Sequence, residues 1–234
     1  MKRGKIMITP RLKMILDHIT GNVIADLGTD HAYIPIELAK KGGFQGLIAT
    51  DVRPGPLAAA REHIKKAGVE DKIDLRLGSG LDPLAENEAD TVLICGMGGV
   101  LISEILASDL KKAKHVSLFL LPPMNGQYEL RKWLIKHSFE ILEEDISCEG
   151  FKVYSLILAR YGEKQTMPCE LSLHLPETLL AHPLYPKLRD KKKREFEKIR
   201  NGQKCSSCPD QKEILYYQTL LSELEERDRH YETI

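Results

Sequence analysis

Hydrophobic and polar positions recur along this chain with two different periods. From Thr9 the chain reads Thr-Pro-Arg-Leu-Lys-Met-Ile-Leu-Asp-His-Ile, with apolar residues at 12, 15, 16 and 19. A capping threonine and a proline at the first helical position predict a short amphipathic helix. Short apolar runs then alternate with helical patterns. They are Val23 to Leu27 before Ile34 to Lys41, Leu47 to Asp51 before Pro56 to Ala67, and Ile73 to Leu77. Thr91 to Cys95 before Val100 to Leu106, and Val116 to Leu121 before Tyr128 to Lys136, continue the series. Strands separated by helix-length segments require crossovers, and crossovers give a parallel sheet. The rhythm then changes. Phe139 to Ile146 and Phe151 to Tyr161 are separated only by Ser147-Cys148-Glu149-Gly150, too little for a crossover, so they predict an antiparallel hairpin. The expectation is an α/β domain whose sheet is mostly parallel and closes on a terminal antiparallel hairpin.

Beyond Tyr161 the period is lost in a polar stretch containing Gly162, Pro168, Pro176, Pro183 and Pro186, which sets a domain boundary between residues 1–161 and 162–234. A helix is expected from about His182 to Arg200, stopped by Asn201-Gly202. A second begins near Pro209 and Asp210, with Ile214, Leu215, Tyr217, Gln218, Leu221 and Leu224 as its stripe. A short connection between them predicts an antiparallel pair.

Length and composition narrow the classes. The chain has 234 residues, 42% hydrophobic and 29% charged, enough for a sizeable core. Its 34 lysines and arginines balance 34 aspartates and glutamates, so no chain-wide basic field holds nucleic acid. The balance is uneven along the chain. Between Pro183 and Lys204 nine basic residues face three acids, and from Pro209 to Ile234 three basic residues face seven acids. A basic helix beside an acidic one is explained either by mutual support of the pair or by phosphate contact on the basic face, with Lys191, Lys192, Lys193 and Arg194 as its densest run. No apolar run approaches the roughly 18 residues of a membrane span. The start, Met-Lys-Arg-Gly-Lys running into Ile-Met-Ile-Thr-Pro, lacks a signal-peptide core, and five cysteines are sparse and odd in number. A cytoplasmic protein is expected. Cys205-Ser206-Ser207-Cys208 has zinc-like spacing but no second pair, and Cys148 and Cys169 stand alone, so no metal is expected.

In an open α/β sheet, ligands lie beyond the carboxyl ends of the strands. Here those ends read Asp26-Leu27-Gly28-Thr29-Asp30-His31, Asp51-Val52-Arg53-Pro54, Gly78-Ser79-Gly80-Leu81-Asp82, Cys95-Gly96-Met97-Gly98-Gly99 and Leu121-Pro122-Pro123-Met124-Asn125. Asp51 ends the second strand, where a carboxylate accepts hydrogen bonds from vicinal ribose hydroxyls. The first loop has one glycine where a pyrophosphate fingerprint has three, because Asp30 and His31 fill positions that should be small. A diphosphate beside Asp26 and Asp30 would be repelled, whereas a nucleoside bearing ammonium and sulfonium groups would be attracted. S-adenosylmethionine meets that description. His31 reads either as a ligand contact or as a loop histidine satisfied by backbone, and Met97 either as a pocket residue or as a space-filler. Pro122-Pro123 is a turn that, with Asn125, also stands where a substrate would enter.

These residues resemble the bacterial tRNA (adenine-22-N1)-methyltransferases, class I S-adenosylmethionine-dependent enzymes with a Rossmann-like catalytic domain and a C-terminal helical coiled-coil domain. The likeness is carried by Arg11-Leu12, Ile24 to Pro35, Ala49-Thr50-Asp51-Val52, Gly78-Ser79-Gly80-Leu81, Ile94 to Gly99 and Leu121-Pro122-Pro123. Its most specific part is Leu-Gly-Thr-Asp-His-Ala-Tyr-Ile-Pro. The resemblance implies that Asp26, Leu27, Gly28, Asp30 and His31 hold the methionine part of the cofactor. It implies that Asp51 and Val52 hold ribose and adenine, that Gly80 and Leu81 flank the adenine, and that Gly96 and Met97 lie near the sulfonium. Enzymes that methylate exocyclic amines often carry Asn/Asp-Pro-Pro-Tyr after the fourth strand, where this chain has Gly-Met-Gly-Gly, which suits a ring nitrogen. The expected reaction is methyl transfer to N1 of adenine 22 in tRNA. Asp30 and then His31 are the catalytic candidates, Pro122 and Asn125 shape the entrance, and Lys191, Lys192, Lys193 and Arg194 dock the RNA. Two other readings stay open: a small-molecule N-methyltransferase whose tail dimerises it, and a non-catalytic RNA-binding module. The oligomeric state is left open.

Overall fold

The computed structural model describes residues 8–231, so the basic start of the chain and Glu232 in the acidic tally lie outside the described residues. Five parallel strands, β1 (Val23–Leu27), β2 (Gly46–Asp51), β3 (Asp74–Leu77), β4 (Thr91–Ile94) and β5 (Leu118–Leu121), are followed by β6 (Phe139–Glu149) and β7 (Lys152–Tyr161). The sheet order is β3-β2-β1-β4-β5-β7-β6. β7 pairs antiparallel with β5 and with β6, so the hairpin folds back and its second strand enters the sheet. The order reverses between β1 and β4, which opens a crevice at their carboxyl ends.

Helices α1 (Pro10–Asp17), α2 (Tyr33–Lys41), α3 (Pro54–Ala67), α4 (Gly99–Ser108), α5 (Leu110–Ala113) and α6 (Gln127–Lys136) complete this part. Alternate residues of each strand face opposite layers. Ile24, Leu93 and Leu120 join α1, α2 and α3 residues such as Ile15, Leu38 and Ile64 in one core. Ala25, Leu27, Val92, Ile94 and Phe119 join Ile102 and Leu106 of α4 and Leu130 and Leu134 of α6 in the other. Each fully buried leucine or phenylalanine contributes about 1.5–3 kcal/mol. Thr9 caps α1 through its side chain, which accepts from Leu12 N, and Pro10 occupies the first helical position. Arg131 of α6 and Glu144 of β6 form an ion pair at 2.7 Å, both side chains less than 5% exposed.

The hairpin is longer than the apolar pattern predicts. Its strands run to Glu149 and from Lys152, leaving Gly150 (φ +59°) and Phe151 as the turn. The pattern also places the start of β5 at Val116, whereas the strand starts at Leu118.

The chain divides into two compact units between Met167 and Pro168, a few residues beyond Tyr161. Gln165 explains the shift: its amide pairs with both backbone groups of Ile141, accepting from N at 3.1 Å and donating to O at 3.3 Å, which ties residues 162–167 to β6. The second unit contains α7 (Glu170–His174), a 3-10 turn (Glu177–Leu179), α8 (Tyr185–Lys204) and α9 (Gln211–Tyr231). Its proline-rich beginning is no mere linker, since Leu171, Leu173, Leu175 and Leu179 are all buried. α8 and α9 lie antiparallel: Lys193 meets Glu225 at 3.8 Å, Arg189 meets Asp228 at 3.5 Å, and Gln203 near the loop meets Glu213.

Two sequence expectations fail here. Asn201-Gly202 does not stop α8, which runs to Lys204, because contacts of Gln203 with Glu213 and with Asp210 N hold one further turn. On α9, Leu215 is 64% exposed and Gln218 is also outside, while Leu220 is buried in their place beside Ile214, Leu221 and Leu224. Asp210 starts α9 as expected, accepting from Lys212 N at 2.9 Å.

Candidate functional site

Two adjoining cavities open at the carboxyl ends of β1, β2 and β4. One, of about 400 Å³, is lined by Leu27, Thr50, Asp51, Val52, Gly78, Ser79, Gly80, Met97, Leu101 and Ile105, among others. The other, of about 660 Å³, is lined by Thr9, Arg11, Leu12, Asp26, Thr29, His31, Tyr33 and neighbours. Gly28, Asp30, Cys95 and Gly96 belong to both, so the tip of β1 and the tip of β4 form the passage between them.

The β1 tip turns sharply over β2. Gly28 N and Thr29 N both donate to Thr50 O at 2.8 Å. Gly28 sits at φ +73°, a left-handed turn that favours glycine, and a Cβ there would require the Met97 side-chain tip, 2.4 Å away, to move. Asp30 (φ +50°) and Ala32 (φ +54°) also adopt left-handed backbone, which for residues with a Cβ costs about 1–3 kcal/mol each. A similar closeness joins the loops after β4 and β5: Gly99 N donates to Asn125 O at 2.8 Å, and a Cβ on Gly99 would stand 2.0 Å from Gly126 O.

Asp26 is the electrostatic centre. It is 4% exposed; Oδ2 accepts from Thr29 Oγ1 at 2.7 Å, and Oδ1 is buried with no protein partner. Burial pushes its pKa up to about 6, against the Thr29 hydrogen bond and with help from the charge of Asp51. A buried carboxylate with one oxygen unanswered suits a cation. Arg11, which lines the same cavity, supplies the opposite sign. Its backbone N donates to Glu149 Oε1 at 3.0 Å and its guanidinium lies 5.0 Å from the Tyr154 ring centroid, so α1 is fastened to the hairpin. A cavity lined by two carboxylates and a guanidinium fits the ammonium and carboxylate of an amino acid.

Asp51 is 4% exposed, and its Oδ1 accepts from Arg53 N at 2.9 Å, which orients the carboxylate at the end of β2. Val52 and Leu101, 60% and 47% exposed, offer apolar surface in the smaller cavity for a flat base. The residues present therefore fit S-adenosylmethionine: apolar walls and a ribose acceptor on one side, paired charges on the other.

The sequence-derived residues distribute as follows. Asp26, Leu27, Gly28, Asp30, His31, Asp51, Val52, Gly80, Gly96 and Met97 all line the joined cavities. Leu81 does not: it is 1% exposed and packed in the core beneath the loop, where it supports Gly80. Pro122 is buried and lines neither cavity, and Asn125, though exposed, acts through its backbone on Gly99. His31 Nε2 lies 3.4 Å from Asp30 Oδ2, with both side chains open to solvent. Burial, and secondarily Asp26, raises the Cys95 thiol well above its ordinary pKa and keeps it protonated at neutral pH. In the second unit Lys192 pairs with Glu195 at 3.1 Å and Lys193 with Glu225, while Lys191 and Arg194 are exposed. Among the described residues, no group of three His, Cys, Asp or Glu side chains is placed to hold a metal ion, and no helix is long and apolar enough to cross a membrane.

Residue-by-residue reading missed Leu101, Ile105 and Tyr33. The signal for the first two was available: α4 is apolar beyond one face, leaving Val100 and Leu101 exposed.

Comparison with known proteins agrees with this geometry. A Methyltransferase domain family model matches residues 8–157. The Bacillus subtilis (strain 168) tRNA (adenine(22)-N(1))-methyltransferase is 32% identical over 73% of this chain and 72% of its own length. A Streptococcus pneumoniae structure in complex with S-adenosyl-L-methionine superposes with a TM-score of 0.80 at 30% identity, covering 94% of this chain and 99% of that one. The M. capricolum TrmK structure in complex with S-adenosyl-homocysteine gives 0.78 at 27% identity, covering 94% and 97%. With the sheet order and the charge-divided cavity beside likeness over such spans, this protein belongs to the bacterial tRNA (adenine(22)-N1)-methyltransferase family.

Proposed function

We propose that this protein methylates N1 of adenine 22 in tRNA with S-adenosyl-L-methionine as donor. The observation that carries the reading is the pair of joined cavities meeting at Gly28, Asp30, Cys95 and Gly96, with the unanswered oxygen of Asp26 inside. When bound, the cofactor supplies an electrophilic methyl group.

The chain's residues would bind and orient. Asp26 and Arg11 hold the two ends of the amino-acid portion, Asp51 accepts from the ribose hydroxyls, and Val52, Leu101 and Ile105 enclose the base. N1 of adenine already carries a lone pair, so no strong base is needed to create the nucleophile. Catalysis comes from alignment, with N1 held about 3–3.5 Å from the methyl carbon. Asp30, shared by both cavities, stabilises the positive charge that the ring acquires. His31, in contact with that carboxylate, orients it.

The unit that ends at Met167 carries the chemistry in this reading, and the unit that begins at Pro168 docks the RNA. Lys187, Lys191, Arg194 and Lys198 are all exposed and recur at the spacing of one helical face of α8, and together with Lys192 and Lys193 they form the basic surface that meets phosphate. Action on tRNA in a bacterial cell, the setting of the Bacillus subtilis relative, would place the protein in the cytoplasm.

The test is incubation with labelled S-adenosyl-L-methionine and unmodified tRNA, followed by mapping of the labelled nucleotide. Label at N1 of adenine 22 is expected. Label only in small molecules supports the small-molecule enzyme, and cofactor binding without transfer supports a non-catalytic module.

A further inference from the structure

Beside Asp30, at the rim of the larger cavity, three rings from two helices and a loop come together. Tyr33 and His63 stack with centroids 5.8 Å apart and planes within 13°. His31 lies 5.3 Å from Tyr33 and 5.2 Å from His63. The cluster is locked from behind, because His63 Nδ1 donates to the His31 carbonyl at 3.2 Å and the strained backbone at Asp30 and Ala32 leaves the loop little freedom.

These rings are not core. Tyr33 is 43% exposed, as is the His31 side chain, and neither belongs to the apolar clusters on the two faces of the sheet. A rigid aromatic group left open to water at the mouth of a cavity offers a π-face, and every nucleic-acid base carries a matching one. An enzyme that acts on a base edge inside folded RNA must unstack that base, and a new stacking partner offsets the cost.

We propose that Tyr33, backed by His63 and flanked by His31, is the stacking surface that receives the unstacked target adenine; this rests on the methyl-transfer reading above. Once N1 carries the methyl group the adenine ring is cationic, and a cation over a tyrosine face is attracted more strongly than the neutral ring. The surface therefore favours the charge that Asp30 also stabilises. Tyr33 is the contact residue and His63 a positioning residue.

The experiment compares wild type, Tyr33→Leu, Tyr33→Phe and His63→Ala for kcat/KM on tRNA, cofactor affinity by calorimetry, and thermal unfolding. Binding is also followed with a tRNA carrying the fluorescent base 2-aminopurine at the target position. Tyr33→Leu is expected to lower kcat/KM by about ten- to hundred-fold. Tyr33→Phe should recover most of that loss, and His63→Ala should fall between. In the two Tyr33 variants cofactor affinity and unfolding temperature should stay at wild-type values, and the probe, quenched by stacking on wild type, should brighten on Tyr33→Leu. If wild type methylates N1 while Tyr33→Leu keeps full kcat/KM, or loses it only in step with cofactor affinity, the stacking surface is overturned and the methyl-transfer reading stands. If wild type itself transfers no methyl group to N1, both fall.

Discussion

Two buried charges in the catalytic unit behave in opposite ways. Between α6 and β6, Glu144 meets Arg131 at 2.7 Å, so a buried carboxylate is answered by a guanidinium within the chain. At the tip of β1, Asp26 is as deeply buried, yet one of its oxygens meets nothing in the protein. The first arrangement is scaffold, a charge pair whose desolvation is balanced internally. The second has the character of a ligand site, where a balancing charge would come from outside. Unanswered burial, rather than burial itself, distinguishes the two.

The largest expected effect breaks the scaffold side of this contrast. Arg131→Met strands Glu144 and should destabilise the fold by about 3–5 kcal/mol in denaturant titration, whereas the double change with Glu144→Leu should recover most of it. Asp26→Asn should do the reverse. Because the folded-state pKa of Asp26 is raised to about 6, the native state binds more protons than the unfolded chain between about pH 4 and 6. Ligand-free stability from this group is thus greatest at low pH and falls as pH rises through that window, by on the order of 3 kcal/mol. Removing the charge should leave the ligand-free protein at least as stable at pH 7 while weakening cofactor affinity about ten- to hundred-fold, measured by calorimetry. A stability loss like that of Arg131→Met would erase the distinction.

A subtler pH effect follows. Wild-type cofactor affinity should weaken as pH falls through about 6, where Asp26 takes up its proton, and the Asp26→Asn variant should lack this dependence. Smallest per residue is the contribution of the α8 stripe. Replacing Lys187, Lys191, Arg194 and Lys198 with glutamine should weaken tRNA binding and flatten its salt dependence, by roughly 0.7–0.9 in logarithmic slope for each phosphate that the variant no longer neutralises. Cofactor affinity measured in parallel should not change.

The sheet and the strand tips were legible because each is written locally. Apolar runs such as Val23 to Leu27 end in Asp, Gly and Thr, residues whose polarity and backbone freedom announce an opening. The hairpin was legible from the missing crossover. What escaped depends on neighbours distant in sequence. Leu81 and Leu101 look alike in sequence, yet one packs in the core and the other lines the cavity, and only the path of α4 decides which. Asn201-Gly202 is a good stop for an isolated helix, overridden by Gln203 meeting Glu213 on α9. The ring cluster joins positions 31, 33 and 63, a grouping that no single periodicity reveals.

The attachment of α1 bears on the order in which the protein is made. Arg11 stands on the cavity wall, and its backbone is held by Glu149 at the far end of β6. Arg11 and the Glu149 that fastens it stand 138 positions apart, so the wall is made well before its fastening. A nascent chain that has emerged only through α4 already contains Asp26, Asp51 and Leu101, yet has no anchor for Arg11. The wall that Arg11 contributes is therefore fixed only once the last hairpin has formed.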